Sequence, residues 1–343
     1  MNNSIENFAV HADISWDSNY VPSAIELVEN LDALGTVLLS VGSIILVLTI
    51  YFFANACRNI LSQKESEFYK TNAIIILSIY PIASVCSLMA IAIPRGQLLS
   101  EAVTQIFLMI SLYRLYLLLL DVGRRKISET PALMLRVGPC CCWPCLPFPN
   151  LQMTDANLSW IGILALQLPI AQSLLYFILL YMEAEDPMLA TQCIPFLQPV
   201  VVVSILLGIY SLTVTTKTLH TAVPEIKLHY KTLLLQLVLL FSKLQTGIIK
   251  ALPATGVFPS NPPLTPAIYA NVTCNALMLI EMMVLCYTAW HVYYVDLEKN
   301  QEVDATNKTP KTSGQVDATN SNDNNKQFPV IVTARDLTNH QKN

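Results

Sequence analysis

Of the 343 residues, 53% are apolar and 13% charged, and the mean hydropathy is +0.48, whereas a soluble domain carries roughly a quarter charged residues. That balance excludes a soluble globular domain and leaves a polytopic membrane protein, in which the net charge of −4 matters less than where the positive residues lie. The composition offers nucleic acid no basic surface, and the nine cysteines do not form a disulfide scaffold, because most fall in apolar stretches or in one loop.

Residues 1–33 hold Glu6, Asp13, Asp17, Glu26, Glu29 and Asp32 without any Lys or Arg. The basic start and cleavable apolar stretch of a signal peptide are missing, so the first span is expected to translocate this acidic segment itself. A membrane helix needs about 20 apolar residues. Segments 34–54, 72–93, 98–120, 158–182, 194–216, 231–252 and 266–294 meet that requirement. The fold class is therefore an all-α membrane protein of seven transmembrane helices.

Basic residues resist translocation, so the alternating loops set the orientation. One set of loops holds Arg58, Lys64, Lys70, Arg124, Arg125, Lys126, Arg136, Lys217 and Lys227, and the other holds only Arg95. This predicts an N-terminus outside and a C-terminus in the cytoplasm. The domains are then an acidic extracellular segment (1–33), a seven-helix core (34–294) and a disordered cytoplasmic tail (295–343). Asn2-Asn3-Ser4 is a usable glycosylation sequon, at Asn2, while the sequons at Asn157 and Asn307 are expected inside and bare. Cys193 and Cys274 both approach the outer face, where a bridge between them is one alternative.

The loop after span three reads Gly138-Pro139-Cys140-Cys141-Cys142-Trp143-Pro144-Cys145. Its glycine and prolines forbid a regular helix. Consecutive cysteines cannot all turn toward one metal. As juxtamembrane thiols beside basic and aromatic residues, Cys140, Cys141, Cys142 and Cys145 are candidates for S-acylation, with covalent palmitate as the lipid. Zinc is the alternative, but only Cys142 and Cys145 have ligand-like spacing and no matching pair follows, so no metal is assigned.

A charge in hydrocarbon costs about 2.5–3.5 kcal/mol on insertion scales, so each one needs a reason. In span six His229, Gln236, Lys243 and Lys250 recur every seventh residue and predict one polar helical face, widened by Gln245 and Thr246. Lys243 lies too deep to snorkel. It either attracts an anionic solute or pairs with Glu281 in the middle of span seven. Glu101 and Gln105 lie one turn apart in span three, and Arg95 is a candidate partner for Glu101. Prolines at 81, 169, 195 and 199 are expected to break or kink spans two, four and five, with Gln167 and Gln172 flanking Pro169. Tyr113, Tyr116, Phe177 and Tyr181 could supply apolar walls or could simply be packing.

The cysteine-rich loop resembles that of the organic solute transporter alpha subunit family. Ile93-Pro94-Arg95 followed by Glu101, the Gln236 and Gln245 positions, and Leu277-Met278-Leu279-Ile280-Glu281 also look like that family. The likeness covers about 34–294, and the cysteine run is shorter than in the vertebrate subunits, being interrupted by Trp143. It implies a facilitative carrier of amphipathic organic anions, such as bile acids and conjugated steroids, at the plasma membrane (basolateral in epithelia). It also implies a single-span beta subunit as partner; membrane lipid and a second copy of the chain are further expected associations, apart from the resemblance. The substrate path then runs by Lys243, Glu281, Gln236, Gln245, Glu101 and Gln105, and acylation falls on the loop cysteines.

The competing reading is a seven-helix receptor without transport. Span three ends Leu120-Asp121-Val122-Gly123 rather than in an acidic-Arg-aromatic triplet, and span seven lacks an Asn-Pro-x-x-Tyr turn. A membrane enzyme is disfavoured because no paired histidines, metal spacing or nucleophile elbow occurs.

Overall fold

A backbone in hydrocarbon has no water to satisfy it, so each span must bond within itself as a helix. The structure, a computed structural model, describes residues 23–126, 154–222, 228–259 and 264–307, and the chain divides after Gln301 into two units, 1–301 and 302–343. The acylation candidates Cys140, Cys141, Cys142 and Cys145, the sequon at Asn2 and the side chain of His229 lie outside the described residues.

The helices are α1 (Ala24–Ser62), α2 (Glu67–Leu77), α3 (Ile79–Ala92), α4 (Gln97–Lys126), α5 (Asp155–Glu185), α6 (Pro187–Ala222), α7 (Leu228–Leu240), α8 (Thr246–Ala251) and α9 (Pro266–Asn307). They supply seven segments long and apolar enough to cross a membrane, with α2–α3 and α7–α8 each making one. Each predicted span coincides with one of these segments to within one residue at any end that overruns it, and most of the helices run further. Ser23 and Glu26 form a reciprocal cap that starts α1 well before residue 34, and Ser66 caps α2 by accepting from the Tyr69 N–H at 3.2 Å. At the far end α9 continues past residue 294 to Asn307, through Asp296, Glu298, Lys299 and Glu302, with no Gly or Pro to stop it.

The expected proline breaks are only partly seen. Span two is interrupted at Ser78, three residues before Pro81, but α5 runs through Pro169 and α6 through Pro195 and Pro199. The sharper irregularity is one no proline signals. Between α7 and α8, Phe241–Gln245 form a π-turn, which inserts one extra residue into the helix. Leu252–Thr255 then tighten into a 3₁₀ turn that Gly256 ends with φ 73°, a left-handed position that suits glycine.

Helix α4 is the centre of the bundle and packs against α2, α3, α5, α6 and α7. Leu108, Leu112, Leu115 and Leu119 recur at helical spacing on α4, are fully buried, and belong to one core with Tyr80, Leu235 and Met282 from three other spans. By contrast, the apolar windows of the first and fifth spans are only 11% buried, so their side chains face outward, where lipid would lie. Close approach in lipid relies on small residues. Gly208 of α6 lies so near α5 that a Cβ there would overlap the Leu168 side chain. Hydroxyls are satisfied locally: Thr213, Thr215, Thr216 and Thr218 of α6 each donate to the carbonyl four residues back.

Candidate functional site

At the end of the bundle where the Pro94–Gly96 turn joins α3 to α4, charged side chains from two spans and a tyrosine from a third converge. Lys243, in the π-turn, donates to the Tyr176 hydroxyl of α5 at 3.2 Å and lies over the same ring, 5.5 Å from its centroid. Tyr176 passes its own proton toward Glu101 Oε1 of α4 at 3.4 Å. Lys250 of α8 closes the chain by donating to Glu101 Oε2 at 2.9 Å. Two ammonium groups thus share one carboxylate, since Lys243 is also electrostatically coupled to Glu101. With all three groups ionised the cluster carries one surplus positive charge.

The partners differ from those expected. Lys243 does not pair with Glu281, because the π-turn rotates it toward α4 and α5. Glu101 pairs with Lys250 rather than Arg95, since Lys250 follows Lys243 by two turns and reaches the same carboxylate. Glu281 is held instead by Gln245, whose amide lies against its carboxyl group at 2.8 Å from Oε2. The extra residue turns everything beyond Leu240 by about 100° relative to a continuous α-helix. The seven-residue stripe is therefore split: Gln236 lies before the π-turn and outside this cluster, while Lys243 and Lys250 remain together. Cys193 and Cys274 are free thiols rather than a bridge, and the Cys274 thiol instead meets the Thr246 hydroxyl at 3.4 Å.

Beside the cluster is a polar cavity of about 50 Å³ between α3, α4, α8 and α9, lined by Ser87, Glu101, Thr104, Gln105, Ser242, Thr246, Lys250 and Asn275 among others. A water needs roughly 10–15 Å³ on this measure, so the space takes a few waters or one small polar group and no ring system. Gln105 is 3% exposed and its Nε2 donates to Ser242 Oγ at 3.2 Å. Gln172, a turn before Tyr176 on α5, is fully buried with neither amide atom hydrogen-bonded.

A larger space runs along the flank of the bundle. Ile106 and Ile110 of α4 and Pro169, Ile170, Ser173, Leu174, Phe177 and Leu180 of α5 line an open apolar groove of about 670 Å³, within the 300–1,000 Å³ range of small-molecule sites. Ser173 and Leu180 share a face of α5 with Tyr176. The groove therefore adjoins the ring that carries Lys243. Of the expected aromatic walls, Phe177 lines this groove and Tyr181 is exposed, while Tyr116 is core and donates to the Leu158 carbonyl at 2.9 Å. A second apolar groove of about 210 Å³ crosses the π-turn, with Gln245 at its edge.

Two participants escaped the sequence. Tyr176 looks like any aromatic in a span; its place one turn after Gln172 was the available signal. Lys231, read only as the start of span six, is 5% exposed, donates to the Tyr69 hydroxyl at 2.8 Å and lies 4.5 Å from the centre of the Tyr293 ring. It ties α7 to α2 and α9 at the opposite end of the bundle. Nearby, Arg114 donates to Asn72 Oδ1 at 3.4 Å, and Arg125 pairs with Asp121 and with Glu65 at 3.6 Å. Among the described residues no group of three or more His, Cys, Asp or Glu side chains is placed to hold a metal.

Comparison with known proteins converges on one family. The family profile described as organic solute transporter Ostalpha matches residues 38–298. The chain is 26% identical over 296 residues to an organic solute transporter alpha-like protein of Drosophila melanogaster, covering 84% of this chain and 88% of that one. It is 22% identical over 295 residues to the organic solute transporter subunit alpha of Danio rerio, with 82% and 89% covered. An organic solute transporter alpha-like protein 3 of Caenorhabditis elegans is 24% identical over 289 residues, with 80% and 81% covered. No solved structure matches. A match over the whole helical core, from the first span to beyond the seventh, means that the chain belongs to the organic solute transporter alpha family.

Proposed function

We propose that this chain is the seven-span subunit of a facilitative carrier for amphipathic organic anions, with bile acids and conjugated steroids as the solute class. It would work at the plasma membrane, basolaterally in an epithelium, beside a single-span partner subunit. The observation that carries the reading is the Lys243–Tyr176–Glu101–Lys250 chain next to a groove of about 670 Å³. A solute with one negative group on a greasy ring system needs both features. The surplus ammonium draws the negative group, and the groove takes the rings at the flank of the bundle, because the polar cavity is too small for them.

The mechanism follows from competition for a cation. Lys243 uses one of its three donors on Tyr176, which leaves two for an anionic oxygen. An arriving anion competes with Glu101 for the two lysines, and Glu101 keeps Lys250 while Lys243 turns. The bound anion thus brings the cluster from one surplus positive charge to neutrality, which offsets part of the cost of holding charge in hydrocarbon. The π-turn places Lys243 where the helix is already irregular, so its side chain can swing without unwinding a regular segment.

Under the same reading the N-terminus lies outside and the C-terminus inside, by the distribution of Lys and Arg. The Glu101 cluster then occupies the outer half and Lys231 the cytoplasmic half. Palmitate on Cys140, Cys141, Cys142 and Cys145 would hold the loop after α4 against the inner leaflet.

The test is uptake of a labelled sulfated steroid by oocytes expressing the chain alone and with its single-span partner. Expected is saturable uptake that follows the solute gradient without ATP and is greater with the partner present. Surface-displayed protein that moves no organic anion in either setting refutes the proposal.

A further inference from the structure

We infer that the first half of α6 is a docking surface for a second copy of this chain, the two copies pairing about an axis along the membrane normal with each Gln198 amide donating to the Pro195 carbonyl of the other copy. The inference stands on helix chemistry in lipid and is independent of which solute the carrier moves.

The outward stripe of α6 carries polar groups that lipid cannot satisfy. Gln198 lies six residues beyond Gln192, where the fifth span begins, which is about 9 Å along the helix and inside the hydrocarbon. Its side chain is exposed and forms no hydrogen bond with any described residue. Exposed hydroxyls on the outward face of α1 behave differently, since Ser40 and Ser43 donate to the carbonyls of Thr36 and Leu39 at 2.7 and 2.8 Å. A glutamine amide has no such local solution here and is costly to leave bare. The backbone adds an acceptor. Pro199 has no N–H, so the carbonyl of Pro195, four residues earlier, loses the donor that would close the helix. In a membrane such a freed carbonyl is tolerated where a neighbouring helix re-satisfies it.

Donor and acceptor lie on one face. At 100° per residue, Pro195, Gln198, Val202 and Leu206 fall within about 80° of each other, and all four are exposed. The opposite face is the packed one: Ser204 is buried there, and Gly208 abuts Leu168 of α5. Intervals of three, four and four residues are the seam spacing of paired helices. A two-fold axis along the membrane normal sets this stripe against itself at equal depth, so the Gln198 amide of each copy meets the freed carbonyl of the other. The stripe therefore complements itself, which is why the occupant is a second copy. The same bond already exists inside the bundle, where Gln167 of α5 donates across the helix pair to the Ser204 carbonyl of α6 at 3.1 Å.

The experiment uses the full chain expressed with its single-span partner subunit, as two differently tagged copies in one membrane. Gln198→Cys and Phe196→Cys are each treated with a short bis-maleimide, and the unaltered chain gives the background from native thiols. Phe196 is 81% exposed but lies about 160° round the helix, so it reports chance collision. Expected is a product joining the two tags that is at least fivefold stronger for Gln198→Cys than for Phe196→Cys or the unaltered chain. Gln198→Leu, which suits lipid, is expected to weaken energy transfer between labelled copies in vesicles, with association about tenfold lower, the scale of two interhelical hydrogen bonds. Should that variant not reach the membrane, the cross-link decides alone. Equal cross-linking at the two positions, capture of the partner subunit in place of a second copy, or unchanged energy transfer in Gln198→Leu each overturns the inference. Uptake enters none of these readouts, so their failure leaves the carrier reading intact.

Discussion

Replacing Lys243 by Gln removes the cation from the centre of the proposed path while keeping a side chain that still reaches Tyr176. In the structure the ammonium donates to Tyr176 Oη at 3.2 Å and has two further donors to offer. A charge pair at about 4 Å and an effective dielectric near 20 is worth roughly 4 kcal/mol before desolvation. Hydrogen bonds to charged groups retain about 1.5–3 kcal/mol of this in measured series. Taking about 2 kcal/mol, KM for an anionic steroid is expected to rise roughly thirtyfold, since 1.4 kcal/mol is a factor of ten. Lys243→Arg keeps the charge and is expected to stay within about fivefold of the unaltered chain. The assay is initial-rate uptake of a steroid sulfate across a concentration series, with surface protein measured by biotinylation. A matched neutral steroid controls for loss of shape. Should Lys243→Gln reach the surface and carry the sulfate with unchanged KM, the lysine has no part in anion recognition and the argument from the Tyr176 chain fails.

Three further outcomes follow from other parts of the molecule. Gly208→Val places a branched side chain where even a Cβ overlaps Leu168, so α5 and α6 are forced apart; overpacking costs about 1–3 kcal/mol or more, and a lower melting midpoint in fluorescence-detected gel filtration, partly restored by adding Leu168→Ala, checks it. Tyr69→Phe removes the hydroxyl that accepts from Lys231 at 2.8 Å while keeping the ring; a loss of about 1.5–3 kcal/mol is expected as reduced thermal stability in detergent, and no change would mean that the hydrogen bond contributes nothing. Changing Cys140, Cys141, Cys142 and Cys145 together to Ser is expected to abolish thioester-dependent acyl labelling, and label retained on the variant would place the lipid elsewhere.

The seven spans were legible because hydropathy is an averaged property of about 20 residues, and no local irregularity erases it. Lys243, Lys250, Glu101 and Gln105 were legible for a related reason: a polar side chain in such a stretch is conspicuous. Their partners were not. Pairing Lys243 with Glu281 assumed an unbroken helix, and one added residue at Phe241–Gln245, which neither proline nor glycine announces, turned the lysine toward α5. Tyr176 stayed hidden because an aromatic in a span is usually packing, and only its contact with Lys243 separates it from Tyr116. Lys231 was read only as the first residue of span six because it opens an apolar run, whereas two tyrosines from distant spans enclose it. Of the two outcomes expected at the prolines, a break is not what α5 and α6 show, since both helices continue through theirs.

The column of fully buried leucines along α4 has a consequence for the cell's electrical balance. Leu108, Leu112, Leu115 and Leu119 fill the axis of the bundle and offer a hydrated ion nothing with which to replace its shell. A membrane holding this protein at rest should keep its potential, because sodium, potassium and chloride find an insulated plug where a channel would have a wet pore. Only a cargo oily enough to skirt that plug could cross without first dismantling it.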